Sequence, residues 1–141
     1  MSARQKMTVG RDVPWLMHYW AQRQPDKAFL VWEPFSGPSR TWSYARINRD
    51  IEAVAAGLHQ RGVSPGERVL LHLDNSPEFV ISWFACARIG AVAVSTNTRC
   101  VERDMRYFAD HAGVVRAPRP EKGVWSKRGP RRPRPRHLRR R

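Results

Sequence analysis

Residues 68–95 constrain this chain more than any other stretch. Arg68 to Leu73 (RVLLHL) is a short apolar run that reads as a buried strand. Asp74-Asn75-Ser76-Pro77 then forms a strand-to-helix joint, with Ser76 or Asn75 as cap and Pro77 in the first turn. From Glu78 to Ile89 the pattern is apolar nearly all round, through Phe79, Val80, Ile81, Trp83, Phe84, Ala85, Cys86 and Ala87. A helix without a polar face has to be buried on most sides. Gly90 ends it, and Ala91 to Ser95 (AVAVS) returns as a second buried strand. Short connections on both sides imply a βαβ unit with parallel strands and a right-handed crossover. The class is α/β on pattern alone.

The flanking segments fit that class. Asp12 can cap a helix opened by Val13-Pro14, with Val13, Leu16, Met17 and Trp20 at helical spacing. Ala28 to Trp32 and Arg40-Thr41-Trp42 read as a hairpin across the turn-rich loop 33–39. Ser43 caps a longer helix whose apolar face is Tyr44, Ile47, Ile51, Val54, Ala55 and Leu58. Asn48, Arg49, Glu52 and Gln60 lie largely off that face, and Gly62 signals its end. After the second strand come a loop over 96–100 and a more charged helix from Val101 to His111, closed by Gly113.

Charge divides the 141 residues into two unlike parts. Residues 1–113 carry a net +3, whereas residues 114–141 hold 12 basic residues and one acidic residue. The first part has the balance of a globular segment and the second that of a polycation without a core-forming pattern. No apolar run reaches the about 18 residues that a membrane span needs. Met1 to Arg11 lacks the apolar stretch of a secretory signal. Cys86 and Cys100 are too few for a disulfide scaffold or a four-thiolate zinc site, so a reduced, cytoplasmic setting is expected.

Six short stretches, in order and spacing, carry a resemblance. They are Thr41-Trp42-Ser43-Tyr44, Ala55-Ala56-Gly57-Leu58, 62–69 (GVSPGERV), Asn75-Ser76-Pro77-Glu78-Phe79, 87–94 (ARIGAVAV) and Asn97. Together they resemble the N-terminal segment of AMP-forming acyl-CoA synthetases, the adenylate-forming ligases, and in particular bacterial ligases of the crotonobetaine/carnitine-CoA type. The resemblance covers about residues 12–113. It implies a partial N-terminal subdomain of that fold over 12–115, after a flexible N-terminus over 1–11. Two positions depart from the pattern. Arg46 stands where the family usually completes a capping box with Glu, a loss of about 1 kcal/mol. Thr98 stands where a Pro often follows the Asn.

The resemblance implies a two-step reaction. A carboxylate, carnitine-like or fatty, attacks the α-phosphate of ATP, and coenzyme A then displaces AMP. Family members use ATP, Mg²⁺ and coenzyme A. They use a Ser/Thr/Gly-rich phosphate loop ending in Lys, and a mobile catalytic Lys. None of the four lysines here (Lys6, Lys27, Lys122, Lys127) follows such a loop, and no two glycines form a GxG pair. The expectation is a truncated member, inactive alone, with no catalytic residue or metal ligand of its own. Arg99 maps onto an Arg that approaches the coenzyme A phosphates in some members. It is the one candidate cofactor-binding residue, and guanidinium pairs well with phosphate.

The remaining features weigh less. Residues 116–141 are expected to be disordered, because Arg/Pro sequence buries too little apolar surface to offset its ordering entropy. Twenty-two Arg against four Lys suggest a GC-rich gene, and such a gene read out of frame yields mainly Arg, Pro, Gly, Ala and His. The alternative is a non-enzymatic basic protein whose tail binds nucleic acid or other polyanions non-specifically, with Trp125 free to stack on a base. The third reading is a solvated tail without a role. His72 reads as a hydrogen-bonded structural histidine and Asp74 as a turn or cap residue. Ser76, Ser95 and Thr96 have no base in evident reach, and Phe79, Trp83 and Phe84 read as core.

Overall fold

The computed structural model describes residues 11–114. The expected flexible start and basic tail, 1–11 and 116–141, lie outside those residues but for Arg11. Eight elements follow one another. They are α1 (Val13–Arg23), β1 (Ala28–Trp32), β2 (Arg40–Ser43), α2 (Tyr44–Gln60), β3 (Arg68–Leu71), α3 (Pro77–Arg88), β4 (Val92–Ser95) and α4 (Glu102–Ala112). Their order matches the expected one. The strands are shorter than the apolar runs that announced them, since β3 stops at Leu71 and leaves His72 and Leu73 in the following loop.

Each helix starts where its cap chemistry allows. The Asp12 carboxylate accepts the Trp15 N–H at 2.8 Å, and the Ser43 hydroxyl accepts the Arg46 N–H at 3.3 Å. Ser76 accepts the Phe79 N–H at 3.3 Å, with Pro77 at the first helical position. These bonds satisfy N–H groups that have no partner within the helix. Arg46 is no longer half of a box. Its guanidinium lies 5.0 Å from the centre of the Trp42 ring and donates to the Thr41 carbonyl.

The sheets are two separate pairs. β1 and β2 run antiparallel, with Leu30 opposite Trp42 and a register shift between Ala28 and Leu30. β3 and β4 run parallel, with Val69 opposite Ala93 and Leu71 opposite Ser95. The parallel pairing and the intervening α3 make the βαβ unit that residues 68–95 imply.

The core is the seam between α2 and α3, closed below by β3. Ile47, Ile51, Ala55 and Leu58 of α2 are buried against Ile81, Ala85 and Cys86 of α3 and Val69 and Leu71 of β3. The hairpin joins through Trp42, 2% exposed, whose indole N–H donates to Asp50 at 3.0 Å. An aromatic train runs Trp20, Tyr44, Phe29, Phe84, Trp83 and so couples α1, the hairpin and α3. α3 is only half enclosed. Phe79 and Phe84 are half-buried and Trp83 is exposed, so the expected aromatic core cluster is instead a rim. No helix among the described residues is long and apolar enough to cross a membrane.

Candidate functional site

The carboxyl ends of parallel strands are where α/β proteins expose backbone and loop groups to ligands. Here that edge is formed by the loops after β3 and β4. Parallel register places the residues just past the two strand ends side by side. The Thr96 N–H donates to the Leu71 carbonyl at 3.0 Å, continuing the ladder one step. The Thr96 hydroxyl donates to the same carbonyl at 3.3 Å, and His72 Nδ1 lies 3.1 Å from that hydroxyl oxygen. With the hydroxyl proton directed at Leu71, Nδ1 is the donor of the His72–Thr96 bond.

A second link crosses the same gap. The Thr98 hydroxyl donates to the Asp74 carboxylate in a short hydrogen bond. The residue found where a Pro often stands in the family therefore ties its loop down by a side-chain bond. Asn97 then makes the turn. Its Oδ1 accepts the Arg99 N–H at 2.9 Å, and its carbonyl accepts the Cys100 N–H at 3.0 Å. Asn suits this role because its short side chain can bond the backbone two residues on.

Arg99 sits at the outer end of this turn and is exposed. Its guanidinium makes no ion pair among the described residues, whereas Arg88, Arg103 and Arg106 each do. The edge thus combines a fixed backbone turn, two threonine hydroxyls already engaged, and one guanidinium with its donors facing water. That set suits a single phosphate group. It does not suit a magnesium triphosphate, which needs several converging donors and acidic ligands. Among the described residues no three His, Cys, Asp or Glu side chains gather as a metal site.

The residues singled out in the sequence fall as follows. His72 and Asp74 hold the two loops together, in keeping with structural roles. Thr96 differs from expectation, because a base does come within reach of its hydroxyl. The signal was present in the parallel register, which sets residue 72 beside residue 96. The same hydroxyl already donates to a carbonyl, so the pair works as a clamp. Cys86 is fully buried, and that burial raises its thiol to about 11. It is the inert hydrophobe expected of it.

One polar cluster escaped the sequence reading. Asn48 is buried, although the helical pattern set it off the apolar face. Its Nδ2 donates to Glu52 Oε1 at 3.0 Å, and its Oδ1 accepts from Arg88 at 3.3 Å. Arg88 also pairs with Glu52 at 2.6 Å. The Asn48–Glu52 spacing of one helical turn was legible, but Arg88 lies on another helix and only packing brings it in.

The βαβ unit, its caps and this loop edge are matched by known proteins. The model of the AMP-binding enzyme family fits residues 17–118. The chain belongs to the AMP-binding enzyme family. A crotonobetaine/carnitine–CoA ligase of Salmonella paratyphi A is 39% identical over 89 residues, covering 63% of this chain and 17% of the relative. The corresponding ligase of Salmonella typhimurium is 38% identical over the same length. The chain therefore spans about a sixth of the length of these curated relatives. Among solved structures, the N-terminal subdomain of Klebsiella oxytoca NpsA superposes with a TM-score of 0.68 at 28% identity, over 76% of this chain and 27% of that one. A fatty acid AMP ligase from Legionella pneumophila shares the fold, with a TM-score of 0.69 at 20% identity over 74% of this chain and 18% of that one.

Proposed function

We propose that this AMP-binding family member provides scaffold for ATP-dependent, AMP-forming ligation of a carboxylic acid to coenzyme A, and that residues 1–141 alone do not turn over. The family match over residues 17–118, joined to 39% identity with a carnitine–CoA ligase, carries the reading. Several residues here have assignable work. His72, Thr96, Asp74 and Thr98 hold the two loops at the carboxyl edge. Asn97 orients the turn, and Arg99 offers its guanidinium to a coenzyme A phosphate. Nothing at that edge would cradle a triphosphate, and none of the four lysines follows a Ser/Thr/Gly-rich loop. ATP and Mg²⁺ chemistry therefore needs residues other than these, and the carboxylate substrate is of the class its relatives' names state.

Two measurements test the reading. Purified chain should show no ATP–pyrophosphate exchange above a heat-treated control; clear exchange would overturn the inactivity. Immobilised coenzyme A should retain the chain better than dephospho-coenzyme A, and Arg99→Ala should erase the difference. Equal retention of both would remove Arg99 from the site. A second reading is non-specific polyanion binding through residues 116–141, favoured by the 12 basic residues after position 113. It expects retention on heparin that falls steeply with salt and is lost when 116–141 are deleted.

A further inference from the structure

We infer that the outer face of α3 and the open edge of the β3–β4 pair dock a separate polypeptide carrying the later part of an AMP-binding domain. This rests on family membership and not on the ligase activity proposed above. Phe79, Val80, Trp83 and Phe84 line a shallow apolar depression on α3. Trp83 is 39% exposed there, and Val92 of β4 is 49% exposed. Among the described residues β3 and β4 pair only with each other, so each has an unpaired edge. Parallel strands are ordinarily covered on both faces and flanked by further strands. α4 buries none of its residues fully, although Met105 and Phe108 give it an apolar side.

Three occupants compete for this surface. The chain's own residues after Val114 are poorly suited by sequence. They hold Pro118, Pro120, Pro130, Pro133 and Pro135, and Val115, Val124, Trp125 and Leu138 are their only large apolar residues. Proline at that density cannot supply a ladder strand. A second copy is opposed by charge, since each chain carries +14. The remaining occupant matches in size and chemistry. NpsA's N-terminal subdomain is built on this same unit, yet the match covers only 27% of it, so the larger part of such a subdomain lies outside the match. That part is available to supply strands and apolar side chains to an edge and a face of this kind.

The test uses the whole chain and the Salmonella typhimurium ligase from which the matching segment has been deleted. The two are co-expressed, purified through a tag on the ligase remainder, and weighed by light scattering at high salt to screen the basic tail. The expected result is a 1:1 complex. Trp83→Glu with Val92→Glu should weaken it by on the order of tenfold or more, because a buried aromatic anchor is lost. The same double variant should keep the melting curve of the isolated chain, since both side chains are already exposed. Hydrogen exchange should slow at 79–84 and 92–95 in the complex. Recovery of the remainder alone, with or without this chain, would overturn the inference. So would a complex indifferent to the double variant, or a homodimer of this chain that the variant dissociates. A complex without pyrophosphate exchange would keep the docking surface and count against the ligase reading instead.

Discussion

The two flanks of α3 were built under the same local rules and ended differently. The flank facing α2 is closed. Ile81, Ala85 and Cys86 meet Ile47, Ile51 and Leu58, and the polar atoms at its margin form the Asn48–Glu52–Arg88 cluster. The flank carrying Phe79, Val80 and Trp83 is open, and the strand beside it has an unpaired edge. Both flanks are equally apolar in sequence. Hydrophobicity therefore states that a surface wants cover, and only the available partner elements decide whether it gets it.

That contrast can be broken most directly at Ile47, which is fully buried. Ile47→Ala should cost about 2–5 kcal/mol by lost burial and a residual cavity, read by urea unfolding. Val92→Ala on the open flank should change stability by less than about 0.5 kcal/mol. Similar costs at the two positions would mean that the flanks are not different. The next effect is at the margin of the closed flank. Arg88→Ala strips a partner from buried Asn48 and should cost about 1–2 kcal/mol, discounted because Arg88 and Glu52 are partly exposed. A double cycle with Glu52→Ala should show coupling, and additivity would dissolve the cluster as a unit.

Smaller effects sharpen the picture. Ser43→Ala removes the α2 cap bond and should cost about 1 kcal/mol by the same unfolding measurement. The closed flank also predicts a pH dependence. Burial raises the Cys86 thiol from 9.0 to about 11, so the folded state holds its proton longer than the unfolded chain. The resulting contribution is complete below pH 9.0 and is lost as pH rises toward about 11. Cys86→Ala should flatten the stability curve over that window relative to the parent. Cys100, which is only partly buried, should react with a thiol reagent well before Cys86.

Much of the fold was legible because it depends on short-range chemistry. Asp12, Ser43 and Ser76 marked helix starts by what their side chains can accept, and Pro77 by the N–H it lacks. The α2 face and the parallel βαβ unit followed from periodicity and short connections. The candidate site was legible in part. Arg99 came from resemblance, whereas the clamp that holds its loop did not. Thr96 and Thr98 are ordinary loop residues until β3 and β4 pair, and only then do His72 and Asp74 stand opposite them. The burial of Asn48 was illegible for the same reason, since the helical wheel shows a polar residue off the stripe and omits the arginine arriving from α3.

By itself, then, the sequence determined the α/β class, the order of elements, their caps and the split between a near-neutral globular part and a polycationic one. Each of these follows from a residue's own chemistry or from neighbours within a few turns. The tertiary structure decided which apolar surfaces close, which polar side chains meet across strands, and that the guanidinium of Arg99 faces water without an ion pair. Those outcomes depend on residues distant in sequence, such as positions 48 and 88 or 74 and 98, whose proximity exists only after the packing is made.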